Sequence, residues 1–269
     1  MRALKVAIGG FGAIGAQVAG RLDQGIEGLE LAAVSANNQD RARAALAGFR
    51  KPVPVMPLED LAEAADVVVE CAPAAVFDRV AVPAVERGRI FMPLSAGALL
   101  DRMGLVDRAR ASGARIIVPT GALVGFDAVR AAAEGTIHSV TMETRKPPAG
   151  LAGAPHLVEN AISLDGLNAP KLVFSGSARE GAKGFPANVN VAAALSLAGI
   201  GPDRTRLDIW ADPGVTRNTH KIVVDADSTR FTMLIEGVPS LENPRTGKLT
   251  PLSVIACLKG LVAPLRIGS

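Results

Sequence analysis

No tyrosine occurs in the chain, tryptophan occurs once, and aromatic residues make up only 3% of its 269 positions. Proteins that bind single-stranded nucleic acid stack bases on aromatic rings, so this scarcity argues against that class. Cysteine is equally sparse: Cys71 and Cys257 stand far apart and form neither a C-x-x-C pair nor a metal-ligand spacing. They read as reduced, buried thiols of a cytoplasmic protein, with no disulfide framework and no metal site. Long apolar runs are missing too, since none approaches the roughly 18 residues that a membrane helix requires. The apolar stretch after Met1-Arg2-Ala3-Leu4-Lys5 imitates a secretory signal, but five glycines from Gly9 to Gly20 break any signal core. A net charge of +3, with Lys and Arg scattered among Asp and Glu, provides no basic stripe for nucleic acid. The pI near 9.1 suits a small acidic substrate as well. No internal repeat, low-complexity segment or disordered tail is visible, and 49% apolar residues describe an ordinary globular chain of one large or two modest domains.

What is present is a glycine pattern in its proper setting. Val6-Ala7-Ile8-Gly9-Gly10-Phe11-Gly12-Ala13-Ile14-Gly15 is an apolar strand running into G-x-G-x-x-G and then a helix-forming stretch. In a dinucleotide fold Gly10 makes the tight turn, Gly12 lets the backbone approach a pyrophosphate, and Gly15 lets the helix pack closely on the strand. The pyrophosphate then sits on free N–H groups around Phe11, Ala13 and Ile14 at the helix N-terminus. A nicotinamide or flavin enzyme is the expectation.

Leu4 to Ile8, Glu30 to Ser35, Val53 to Met56, Asp66 to Glu70, Arg89 to Leu94 and Ala114 to Val118 read as short buried strands without polar alternation, the character of a parallel sheet. Helical patterns fall between them, near Ala13 to Asp23, Asp40 to Ala47, Leu58 to Ala64, Ala74 to Arg87 and Ala98 to Ser112. The fold class is therefore α/β, a doubly wound Rossmann-type domain over 1–120. Its crevice opens at the strand carboxyl ends, which adds Ser35, Asn37, Asn38 and Ala72 to the expected cofactor contacts. Beyond Thr120 the pattern changes: a helix near Phe126 to Glu134 leads into alternation over Thr136 to Thr144. Further strands are expected at Lys171 to Ser177, Arg206 to Ala211, His220 to Ala226 and Phe231 to Gly237, interrupted by one helix opened by Pro186 and closed near Gly199. This is a second α+β, mixed-sheet domain over 121–248 for substrate binding and dimerisation. The terminal segment 249–269, helical from Thr250 to Leu265, returns to the first domain.

The second domain carries the chemical candidates. Asn188 and Asn190 stand in a first helical turn before small residues, where a carboxamide either caps the helix or hydrogen-bonds a ligand. Asp212-Pro213-Gly214-Val215-Thr216-Arg217-Asn218-Thr219-His220-Lys221 is a turn leading to an imidazole at a strand start. Histidine is the side chain best matched to proton transfer near neutral pH, with an ordinary pKa near 6.5. His138, in a strand, and His156, in a Pro/Gly-rich loop, read as structural.

Taken together, the glycine loop, Thr144-Arg145-Lys146-Pro147-Pro148, Ala178-Arg179-Glu180, Phe185 to Gly199, Asp212-Pro213, Asn218-Thr219-His220 and Asn243-Pro244-Arg245-Thr246 resemble the L-aspartate dehydrogenase family over nearly the whole chain. The resemblance implies NAD(P)-dependent oxidation of L-aspartate to iminosuccinate, which hydrolyses to oxaloacetate and ammonia or passes to quinolinate synthesis. It places the active-site histidine on His220 and further cofactor contacts on Gly121, Ala122, Val124 and Asn190. It also implies a homodimer. Two carboxylates must be held, and Arg145, Lys146, Lys183, Arg217 and Lys221 are the cations of the matching blocks, with Asn188 and Asn218 beside them. Where NAD-preferring folds place a carboxylate for the ribose 2′-OH, this chain has Ser35-Ala36-Asn37-Asn38, with Arg41 and Arg43 just beyond. Those arginines either pair with a 2′-phosphate or are solvated helix residues, so the cofactor reads as NAD or NADP. At this level another amino-acid dehydrogenase, an imine reductase or a non-catalytic nucleotide sensor stays open.

Overall fold

The computed structural model of the chain describes residues 2–186, 189–240 and 246–268. The chain divides into two compact units, one of Met1–Pro119 with Thr250–Arg266, the other of Thr120–Leu249 with Ile267–Ser269.

In the first unit β1 (Leu4–Gly9), β2 (Leu29–Ser35), β3 (Val67–Glu70), β4 (Ile90–Pro93) and β5 (Arg115–Ile116) form a parallel sheet in the order β2-β1-β3-β4-β5. Val6, Ala7 and Ile8 of β1 and Val67, Val68 and Val69 of β3 are all fully buried. Both sheet faces are covered, which is why these segments carry no polar alternation. The strand expected at Val53 to Met56 does not form. Only Val55 bridges Val34, because Pro52, Pro54 and Pro57 remove the N–H donors a ladder needs. That parallel bridge extends the sheet on the β2 side, at the place a sixth strand would take. The pattern at Ala114 to Val118 contracts to Arg115–Ile116 before Pro119, and the helix expected over Ala98 to Ser112 divides into Ala96–Leu100 and Gly104–Ser112. The final helix, Leu249–Val262, buries Val254 and Leu258 in the core formed by Val6, Ile8, Leu22 and Leu29. Leu258→Ala would cost about 2–5 kcal/mol there.

In the second unit β6 (Ile137–Lys146), β7 (Lys171–Ser177), β8 (Thr205–Ala211), β9 (Asn218–Ala226) and β10 (Arg230–Gly237) form a mixed sheet in the order β10-β9-β6-β8-β7. β6 runs parallel to β8, and the other neighbours are antiparallel. One face buries Val140, Met142, Leu207, Ile209, Ile222 and Val224. Helices Phe126–Ala133, Ala178–Gly184 and Asn190–Ala198 cover it, and Gly181 comes so close to β8 that a Cβ there would lie 2.6 Å from the Leu207 side chain. The opposite face stays open and carries Glu143, Arg145, Lys221 and Leu234. The helix expected from Pro186 begins only at Asn190, with Pro186 in a turn before it. Helices Pro155–Glu159 and Ala178–Gly184 were not expected, although Ser177 and Glu180 form a capping box whose S-x-x-E spacing is readable in the chain. No helix among the described residues is long and apolar enough to cross a membrane.

Candidate active site

In the first unit the strand order reverses at β1, with β2 on one side and β3 on the other, and ligands of such sheets bind outside the strand carboxyl ends at that point. The glycine loop stands there. Gly10 adopts φ +107°, and a Cβ on it would lie 2.5 Å from the Cys71 carbonyl oxygen. A Cβ on Gly15 would collide with the Gly10 carbonyl, whereas one on Gly12 would meet nothing within 4 Å. Gly10 and Gly15 are thus required by the protein's own packing, and Gly12 leaves space in front of the helix. That helix, Ala13–Asp23, has no side-chain cap and no acidic residue in its first turn, so its leading N–H groups can receive a phosphate. A dinucleotide fits this cradle. The Phe11 ring packs against Phe49 with centroids 6.4 Å apart, and Ile14 packs on the core, which leaves their backbone for the ligand.

Gly10 N–H donates to the Ser35 carbonyl at 3.0 Å and so ties the loop to the end of β2. Ser35 is buried and Asn37 exposed, while Asn38 caps helix Gln39–Leu46 by accepting from Arg41 N–H at 2.9 Å. The Arg43 guanidinium is engaged by Asp40 at 3.0 Å and by Gln39 at 2.7 Å. Arg41 is exposed, and its guanidinium takes part in none of the side-chain bonds found among the described residues. Ala72 lies in the loop after β3, where its N–H donates to Glu70 Oε1 at 3.0 Å. Glu70 itself is fully buried, and burial pushes its carboxyl up while hydrogen bonds from Ser95 and Ala72 oppose that shift.

In the second unit His220 is only 4% exposed and lies on the helix-covered face of the sheet. The register pairs it with Thr144, whose Oγ1 is 3.1 Å from His220 Nδ1. Strand alternation puts buried Lys146 on the same face, two residues beyond Thr144, with Asn218 two residues before His220 on β9. Burial and the neighbouring Lys146 charge lower the His220 pKa to about 3. The ordinary value near 6.5 expected from the sequence is thus corrected, because an ion in this apolar setting loses its hydration. Burial alone lowers the Lys146 ammonium to about 8.

The C-terminal segment 127–261 matches the family described as aspartate dehydrogenase, C-terminal, and residues 10–119 match the NAD-binding domain of homoserine dehydrogenase. An L-aspartate dehydrogenase of Bradyrhizobium diazoefficiens is 58% identical over 99% of this chain and 94% of its own. The chain belongs to the L-aspartate dehydrogenase family. L-aspartate dehydrogenase 3 of Bordetella bronchiseptica is similar as well, 52% identical over 99% of this chain and 98% of its own. The fold matches the crystal structure of aspartate dehydrogenase from Thermotoga maritima with a TM-score of 0.73 at 23% identity, over 99% and 100% of the two chains. Membership makes this chain an NAD(P)-dependent dehydrogenase with a small-molecule substrate, as the sequence led us to expect.

Within the family's C-terminal segment the structure gathers some of the expected site residues and separates others. Lys146, Asn218 and His220 share a face. Arg145 and Lys221 stand on the open one: Lys221 pairs in register with Glu143 and is exposed, while Arg145 binds Glu143 at 2.8 Å and Asp212 at 3.1 Å and stacks 5.0 Å from the Trp210 ring. Strand parity decides this, since adjacent residues point to opposite faces. Lys183 and Arg217 are exposed. Gly121, with φ +65°, Ala122 and exposed Val124 form a turn at the start of the second unit, and Asn190 opens its helix from an exposed position. Asn188 lies outside the described residues, as do Asn243, Pro244 and Arg245. No group of three or more His, Cys, Asp or Glu among the described residues could hold a metal. Sequence reasoning missed Thr144 and Glu70 as participants. Only the pairing of β6 with β9 reveals the first, and only the burial of β3 the second.

Proposed function

We propose that the chain catalyses reversible NAD(P)-dependent oxidative deamination of L-aspartate to iminosuccinate, and so to oxaloacetate and ammonia. The observation that carries this reading is the buried His220, held by Thr144 and sharing its face with Lys146, in a member of this family. Residues 1–120 with the terminal helix would hold the dinucleotide, on the Gly10 to Gly15 loop, Ser35, Asn37, Asn38 and Ala72, and 121–248 would hold the substrate, with Gly121, Ala122, Val124 and Asn190 as further cofactor contacts. The nicotinamide, when bound, accepts the hydride that leaves the substrate Cα.

The protein's tasks are alignment and proton handling. Lys146 is protonated at neutral pH and receives a substrate carboxylate, with Asn218 and Asn188 as hydrogen-bonding partners. His220 takes a proton at Nε2 from the substrate ammonium or from the attacking water, which requires the tautomer whose Nδ1–H donates to Thr144 Oγ1. Its low pKa belongs to the free protein. Two substrate carboxylates beside it offset the Lys146 charge and raise its proton affinity. Arg145 and Lys221 have no part in this arrangement.

The open sheet face, where Leu234 is 64% exposed and Trp210 Nε1 is buried without a hydrogen-bond partner among the described residues, favours a homodimer through that face. The two free thiols, both raised by burial, favour the cytoplasm. The deciding assay follows NADH formation with L-aspartate, L-alanine, L-glutamate and D-aspartate. L-Aspartate should be preferred, and Lys146→Met should raise its KM by at least tenfold. Equal turnover of L-alanine would mean that no side-chain carboxylate is recognised.

A further inference from the structure

Glu70 ends β3 and pairs in register with Gly9, the last residue of β1, so it stands at the point where the strand order reverses. It is 0% exposed and takes part in none of the ion pairs among the described residues. Its two oxygens are nevertheless fully used. Oε1 accepts from Ala72 N–H and from the Ser95 hydroxyl, each at 3.0 Å, and Oε2 accepts from Ser95 N–H at 3.0 Å. A backbone donor on each oxygen suits a carboxylate better than a carboxylic acid, which would need to donate from one of them.

Ser95 adds a second observation. It stands at the N-cap of helix Ala96–Leu100, where a serine hydroxyl ordinarily accepts from the first turn, yet it makes no capping bond and turns to Glu70 instead. Glu70 therefore clamps the loop after β3 to the loop after β4. The clamped segment also bears on the glycine loop, because a Cβ on Gly10 would lie 2.9 Å from Ala72 N. Three polar donors hold the buried carboxyl here, and no ion pair among the described residues gives it a counter-charge.

We infer that Glu70 is a positioning residue of the cofactor crevice whose buried negative charge favours the oxidised, cationic nicotinamide over the reduced, neutral one. A carboxylate in a low-dielectric setting acts over several ångströms without contact, which is enough to separate two ligands that differ by one charge. The clamp through Ala72 and Ser95 serves both redox forms alike. The charge distinguishes them.

This role rests on the crevice being the dinucleotide site, and the experiment tells the two apart. NADH affinity is read from nicotinamide fluorescence and NAD+ affinity by competition, in the intact protein and in Glu70→Gln, Glu70→Asp and Ser95→Ala, with folding checked by thermal melting. Glu70→Gln should weaken NAD+ about tenfold more than NADH. Glu70→Asp and Ser95→Ala, which keep the charge, should weaken both forms by the same factor. An unchanged NAD+ to NADH ratio in Glu70→Gln would overturn the inference. Should that variant fail to fold, a ratio altered in Glu70→Asp would overturn it too, and a preserved ratio beside weakened binding would support it. Failure of the unaltered protein to bind NADH would instead overturn the cofactor reading itself.

Discussion

Thr144 on β6 and His220 on β9 face each other across an antiparallel pair, hydroxyl oxygen to ring nitrogen at 3.1 Å. The bond consumes Nδ1, selects the ring orientation and leaves Nε2 for a ligand, so a residue with no chemistry of its own governs one that has it. Thr144→Val keeps the shape and removes the hydroxyl. Turnover should fall about three- to tenfold, the worth of one net hydrogen bond, with NADH affinity unchanged. Turnover at the wild-type level would show that packing alone orients the ring.

His220→Ala should lower kcat by about a hundredfold to ten-thousandfold, the span of general acid–base catalysis, while His138→Ala and His156→Ala should cost little. Because the free-protein imidazole titrates only at about 3, kcat/KM should show no break near 6.5. A break near 8, from Lys146 losing its proton and its hold on the substrate carboxylate, should appear as a decline at higher pH and vanish in Lys146→Met. A rise through 6.5 in the unaltered enzyme would place His220 in a more solvated setting.

The same imidazole sets a stability slope. The unfolded chain binds its proton near 6.5 and the folded chain resists to about 3, so the unfolded state holds more protons between those values. Stability should therefore drop as pH falls through that window, by on the order of a few kcal/mol from this group. Urea melts of the protein and of His220→Asn at pH 7.5 and 5.0 measure it. The variant should lose less stability on acidification.

Gly12 and Gly15 should separate binding from folding. Gly12→Val introduces a side chain into space empty of protein atoms, so melting should change little while NADH affinity collapses. Gly15→Ala drives a methyl into the Gly10 carbonyl and should lower stability as well as binding. Tight NADH binding by Gly12→Val would remove the pyrophosphate from this loop.

Arg41 is the cation to test for the 2′-phosphate, since Asp40 and Gln39 already engage Arg43. Arg41→Ala should lower kcat/KM with NADP by about tenfold or more and leave NAD unaffected, whereas Arg43→Ala should alter neither strongly. A preference for NAD beyond about a thousandfold in the unaltered enzyme would mean that some other group replaces the missing carboxylate after β2.

Local signals decided much of this protein in advance. Runs such as Val6 to Ile8 and Val67 to Val69 can only be strands buried on both faces, and a glycine at 10, 12 and 15 behind such a strand implies a turn, a gap and a close helix, all short-range consequences of backbone sterics. The family blocks around Lys146 and His220 were equally legible, because each is contiguous in the chain. What no local pattern carries is which residues of separate strands become neighbours. Prolines around Val55 allowed one bridge in place of a strand, and that outcome depended on what Val34 had left to pair. Arg145 and Lys146 are adjacent in sequence and equal in formal charge, yet one lies beside Trp210 on the open face and the other is buried near His220. Strand parity separates them, but only the β6–β9 register and the helices packed over one face determine which side is covered. Burial, in turn, shifts the proton affinities of His220 and Lys146, because desolvation depends on everything that packs around a group.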